Sequence, residues 1–111
     1  MAAKNDSVTE VTNEEISGIL NNSHKLVVVD FFAEWCMPCM MMSPIVDELS
    51  EKFKGKIKFG KVNVGDTQEL ANKYNISSIP NFLLFKNGKK VDSFVGSMSE
   101  EDFEEKLKNH L

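Results

Sequence analysis

The 111-residue chain is 41% hydrophobic and 27% charged, the balance of a single globular domain with room for one hydrophobic core. A formal net charge of -4, with no clustered lysines, speaks against nucleic acid or an anionic membrane as partner. The longest apolar run, Leu26 to Ala33, is broken by Asp30 and falls far short of the roughly 20 residues a bilayer demands. The first ten residues lack a signal-peptide core, so the cytosol is the expected compartment.

Residues 1–6 are polar and read as a flexible extension, with the domain occupying 7–111. Ser7 to Val11 is a candidate first strand. Thr12 and Glu15 form a capping-box pattern, and Ile16, Ile19 and Leu20 then recur at helical spacing. Leu26 to Phe32 is almost wholly apolar, as a central strand covered on both faces should be. The next helix begins near Cys36, packs Met42, Ile45, Val46, Leu49 and Phe53 inward, is expected to kink at Pro44, and stops at Gly55. Ile57 to Val64 is a second buried strand. Asp66 with Glu69 suggests another cap, opening a short helix through Leu70, Ala71 and Tyr74. Phe82 to Phe85 and Val91 to Val95 flank Asn87-Gly88, a strong hairpin signal. Ser99, with Asp102 three residues on, opens a last helix carrying Phe103 and Leu107. The order β-α-β-α-β-α-β-β-α gives an α/β fold in which a mixed sheet carries helices on both faces.

The two cysteines of the chain, Cys36 and Cys39, stand in Trp35-Cys36-Met37-Pro38-Cys39 at the strand-to-helix junction. That pairing suits reversible dithiol/disulfide chemistry. Unpaired N–H groups and the helix dipole favour a thiolate on the first sulfur, and the thiolate is the attacking species in disulfide exchange. The spacing leaves Cys36 exposed and Cys39 covered, so Cys36 attacks a target disulfide and Cys39 resolves the mixed disulfide. Pro38 fits the helix start, where its missing N–H costs little.

Asp30 interrupts a strand expected to be buried, so desolvation should raise its pKa and fit it to exchange a proton with Cys39. An edge or bulge position reaching water is the alternative. Strand parity puts Lys61 on the face of Ile57 and Phe59, where it either answers the charge of Asp30 or runs out to solvent. Ile79-Pro80 marks a turn or a cis bond whose backbone can pair with an extended peptide. Trp35 reads as an exposed contact residue, or as core. His24 and His110 receive no role.

With these residues in view, the chain resembles the thioredoxin family. The likeness rests on Val29-Asp30-Phe31-Phe32-Ala33-Glu34-Trp35-Cys36-x-Pro38-Cys39, Pro44, Lys61-Val62-Asn63, Ile79-Pro80, Phe85-Lys86-Asn87-Gly88 and Val95-Gly96. The resemblance implies the thioredoxin fold and a protein-disulfide reductase recharged by a thioredoxin reductase. It implies catalytic roles for Cys36, Cys39, Asp30 and Lys61, and a cis Pro80 beside the dithiol. Trp35, Met37, Pro38, Ile79, Pro80, Val95 and Gly96 would form the docking surface for disulfide-containing target proteins. No cofactor or metal is expected beyond the Cys36–Cys39 disulfide itself, and a monomer is expected. Met37 stands where Gly is usual, Met40 where Lys is usual, Phe32 where Trp is frequent and Asn81 where Thr is common. Two other readings of these residues stay open: an oxidase or isomerase on the same fold, and a soft-metal site drawing on Cys36, Cys39 and Met37, Met40, Met41 and Met42.

Overall fold

In a computed structural model, which describes residues 8–10, 12, 15–21 and 25–111, the elements follow the expected order. They are β1 (Val8–Glu10), α1 (Ile16–Asn21), β2 (Leu26–Phe32), α2 (Met37–Lys52), β3 (Ile57–Asn63), α3 (Gln68–Lys73), β4 (Asn81–Lys86), β5 (Lys89–Val95) and α4 (Glu100–Lys108). The sheet order is β1-β3-β2-β4-β5. Strands β1, β3 and β2 run parallel, whereas β4 and β5 run antiparallel to their neighbours, so the sheet is mixed. The expected boundary between extension and domain, the ends of the first strand at Ser7 and Val11, and His24 lie outside the described residues.

Strand β2 lies between β3 and β4, and six of its seven residues are buried. Alternation then sorts its side chains. Leu26 and Val28 join Ile57, Phe59, Phe82, Leu84 and Phe94 beneath α2 and α4, where Phe103 packs edge-on to Phe82. Val27, Val29 and Phe31 face the opposite layer with Ile16 and Leu20 of α1 and Leu70 of α3. Helices therefore cover both faces, because β2 is apolar at every position but one.

Local differences from expectation have identifiable causes. The Thr12 hydroxyl donates to the Glu15 carboxylate at 2.8 Å, while the Thr12 carbonyl accepts from Glu15 and Ile16, so the two residues make a turn ahead of α1. Helix α2 continues through Pro44 and ends at Lys52; Phe53 is its cap, and Gly55, with φ +89°, sits in the turn leading into β3. Asp66 is not a cap. The turn after β3 is built by Asn63, whose carbonyl accepts from Asp66 and Thr67 and whose Oδ1 accepts from Gly65, which moves the cap of α3 to Thr67. Tyr74 caps that helix instead of lying inside it, with its ring near those of Phe31 and Phe85. The hairpin turn takes positive φ at Asn87 and Gly88 as its sequence demands. Ser99 caps α4 by accepting the Asp102 N–H at 3.1 Å.

Candidate active site

Four strand ends meet at one edge of the sheet. Parallel strands β2 and β3 both finish there, bringing Ala33 to Cys39 beside Val64, whose N–H donates to the Phe32 carbonyl at 2.8 Å. Strand β4 runs the other way, so its beginning lies at this edge, with Asn81 opposite Phe31. Asn81 also pairs with Val95, the last residue of β5. The strand directions alone thus gather the β2–α2 junction, Ile79-Pro80 and Val95-Gly96, three segments far apart in the chain.

Cys36 and Cys39 are joined as a disulfide, with their Cα atoms 5.2 Å apart. Cys36 is the N-cap of the sixteen-residue α2, in extended conformation, and its Sγ accepts the backbone N–H of Cys39 at 3.2 Å. Sulfur here takes the place that Ser or Asp holds in an ordinary cap, satisfying one of the helix's free donors. Pro38 occupies the first turn. The expected contrast in exposure is not present: Cys36 is 6% exposed and Cys39 3%. The first sulfur is enclosed because Ala33, Phe32, Val64 and Ile79 pack around the pair. The two sulfurs differ in their place on the helix rather than in burial: one caps it and the other lies inside its first turn.

The Ile79–Pro80 peptide is cis. The Ile79 carbonyl oxygen lies 3.8 Å from Cys36 Sγ, so this segment abuts the disulfide. Pro80 is itself buried, and its carbonyl accepts the Gly96 N–H at 2.8 Å, which ties the β5 end to it. Gly96 has φ +94°, a conformation side chains resist. Among the described residues, Ile79 makes no backbone–backbone hydrogen bond. Around this centre Trp35 is 76% exposed and Val95 is also exposed, which decides for Trp35 between surface and core. Met37 and Pro38 are exposed as well.

Asp30 is buried in the middle of β2, which excludes the edge or bulge alternative. Burial raises its pKa from 3.8 to about 7; the Lys61 charge pulls it down and the Asp47 carboxylate pushes it up. Its Oδ1 has no hydrogen-bond partner. Lys61 lies directly across the ladder from Asp30 on β3. It is half-buried, with its ammonium 5.3 Å from the centre of the Phe32 ring, so its charge acts on Asp30 while its head group rests on an aromatic face.

Sequence reasoning missed three contributors. Val64 and Ile76 line, with Trp35, Gln68 and Ile79, a groove of about 380 Å³ beside the disulfide. Val64 was within reach, because the residue after a parallel strand must emerge at the same edge as its neighbour's last residue. Asp47, which bears on Asp30 from α2, gave no sign, because a carboxylate flanking an apolar helical stripe usually faces water.

A sulfur that caps a helix and is bonded to the residue three positions on, enclosed at the edge of a mixed sheet, defines a dithiol oxidoreductase whose redox group belongs to the chain itself. The comparisons narrow this further. The thioredoxin family model matches residues 7–109. Thioredoxin 1 of Nostoc sp. is 39% identical over 105 residues, covering 95% of this chain and 98% of that protein. Thioredoxin 2 of Chlorobaculum tepidum is 39% identical over 102 residues, 92% and 94% of the two chains. The chloroplastic M-type thioredoxin of Pisum sativum is 39% identical over 106 residues, 96% of this chain and 62% of that one. The chain belongs to the thioredoxin family. It is a protein-disulfide oxidoreductase that reduces protein disulfides with the Cys36–Cys39 pair. No helix among the described residues is long and apolar enough to cross a membrane.

Proposed function

We propose the following division of labour. In the reduced protein Cys36 attacks one sulfur of a target disulfide, forming a bond between Cys36 and the target while the other target sulfur leaves as a thiolate. Cys39 then attacks Cys36 Sγ, the mixed bond breaks, and the second target sulfur departs. The target gains two electrons and the Cys36–Cys39 disulfide holds the oxidation. The single observation that carries this order is the hydrogen bond from the Cys39 N–H to Cys36 Sγ at 3.2 Å, because a sulfur that accepts a helix N-terminal donor is the one stabilised as an anion.

Cys39 must lose its proton to complete the exchange, and Asp30 is the group suited to take it. A carboxyl that titrates near 7 can both accept and return a proton at neutral pH. Lys61 keeps it from titrating higher still. Trp35, Met37, Pro38, Ile79, Pro80, Val95 and Gly96 receive the target: the exposed members supply apolar contact, and the Ile79 backbone pairs with an extended segment. A thioredoxin reductase recharges the disulfide, no external cofactor takes part, and the protein works as a monomer. The working compartment is a reducing one, cytosolic or, as the names of the chloroplastic relatives allow, plastidic.

Cys39→Ser tests the order of attack. With the resolving thiol gone, covalent adducts to disulfide-bonded targets should accumulate through Cys36 and be released by dithiothreitol. Cys36→Ser should give none. Adducts from the Cys36→Ser protein in place of the other would reverse the roles.

A further inference from the structure

Two methionines beside the disulfide, Met40 and Met41, remain outside this account, and Met37 enters it only as a contact residue. Met37, Met40 and Met41 fall at i, i+3 and i+4 in the first turns of α2 and share one face. They are 73%, 39% and 64% exposed, whereas Met42, the next residue, is 1% exposed. Met42 Sδ also accepts the Met98 N–H at 3.4 Å, so its lone pair is engaged as well as covered. The exposed trio continues from Trp35 and from the disulfide, giving a rim of soft apolar side chains at the docking edge.

We propose that this rim is a modification site: peroxide oxidises Met37, Met40 and Met41 to sulfoxides and thereby weakens target docking without touching the disulfide. In each event the thioether sulfur attacks one peroxide oxygen, the O–O bond breaks, a sulfur–oxygen bond forms and water leaves. The thioether loses two electrons and the peroxide gains them. The inference rests on the docking role given to this edge. A sulfoxide is polar and carries a strong acceptor, so it removes apolar surface where a target must be desolvated. When Cys36 and Cys39 are paired there is no thiolate to compete for peroxide, and the exposed thioethers are the reactive sulfurs left at the site. The protein would thus lower its own affinity for targets in the oxidised state. The two sulfoxide reductases, one per epimer, would reverse the change, a thiol reductant supplying two electrons to each sulfur as its oxygen leaves in water.

The test treats the disulfide form of the protein with hydrogen peroxide, removes the peroxide, and maps added oxygen by peptide mass spectrometry. Met37 and Met41 should acquire oxygen at least about tenfold faster than Met42, because access governs the rate. The treated protein is then assayed for insulin reduction with dithiothreitol. KM should rise about tenfold, equivalent to roughly 1.4 kcal/mol, with kcat unchanged. Treatment with both types of methionine sulfoxide reductase, one for each sulfoxide epimer, with dithiothreitol supplying the two electrons per sulfur, should restore KM, a readout that uses no variant. In Met37→Leu/Met40→Leu/Met41→Leu, whatever its starting KM, the ratio of treated to untreated should stay at one. Equal oxidation of Met42, an unchanged KM after oxidation of the rim, or a tenfold rise in the leucine variant would each overturn the proposal. Turnover that ignores peroxide removes the switch alone. Absence of turnover in untreated protein removes the docking reading and the switch with it.

Discussion

Replacing Asp30 by Asn should make the protein more stable above neutral pH, with the difference moving in the variant's favour as pH rises from acid. The carboxyl is buried with Oδ1 unpartnered, and its pKa is raised from 3.8 to about 7, with desolvation the largest cause. Between those values the folded protein holds a proton that the unfolded chain has released. Stability therefore falls as pH rises through that window and is level on either side of it. At about 1.36 kcal/mol per pH unit, full ionisation costs the native state roughly 4 kcal/mol. Asparagine removes this dependence. It leaves an imperfectly paired amide that costs about 1–3 kcal/mol at every pH. The expected net gain above neutrality is roughly 1–3 kcal/mol, and it turns into a loss of about 1–3 kcal/mol in acid, where the carboxyl is already neutral. Urea unfolding of the disulfide form of both proteins measures it. The difference in stability should widen by roughly 4 kcal/mol between about pH 4 and about pH 9, since groups common to the two proteins cancel. Parallel stability curves would show that Asp30 is not desolvated as described, whatever their separation. The same variant should turn over targets more slowly near neutral pH.

Lys61→Met removes the positive charge that holds the Asp30 pKa down, so the carboxyl should titrate above about 7. A carbon-13 NMR titration of the Asp30 side chain reads this directly, and an unmoved or lower midpoint would contradict it. Phe103→Ala empties a fully buried site where α4 meets Phe82 and Phe94. A loss of about 3–5 kcal/mol is expected by denaturant unfolding, and a loss below about 1 kcal/mol would mean that the site collapses or is poorly packed. Ser99→Ala removes the hydroxyl that accepts the Asp102 N–H. It should cost about 1 kcal/mol, whereas Ser99→Asp should retain most of the stability.

The elements and their order were legible because patterning and caps act locally. Ser99 with Asp102, Asn87-Gly88 and the almost wholly apolar run of β2 each carry their own signal within a few residues. Boundaries erred where another group took the backbone: the Asn63 carbonyl accepts from the N–H groups of Asp66 and Thr67 and holds both in the turn, so the cap of α3 falls on Thr67, and α2 closes on Phe53 before reaching Gly55. At the site, the Cys36–Cys39 pair and the anomaly of Asp30 stood out at once, because a dithiol at a helix start and an acid in an apolar strand are chemically conspicuous.

The amino-acid sequence by itself determined the alternation of strands and helices, the dithiol at the start of α2 and the presence of an acid where water is scarce. Only the tertiary structure decided that Cys36 is enclosed, that Ile79 abuts its sulfur, that Asp47 bears on Asp30, and that Val64 and Ile76 wall a groove beside Trp35. The physical reason is one of range. Backbone hydrogen bonding and hydrophobic periodicity are settled among near neighbours, so a short stretch of chain reveals them. Solvent exclusion and electrostatic coupling arise between β2, β3, β4 and α2 only after the sheet has brought their ends together.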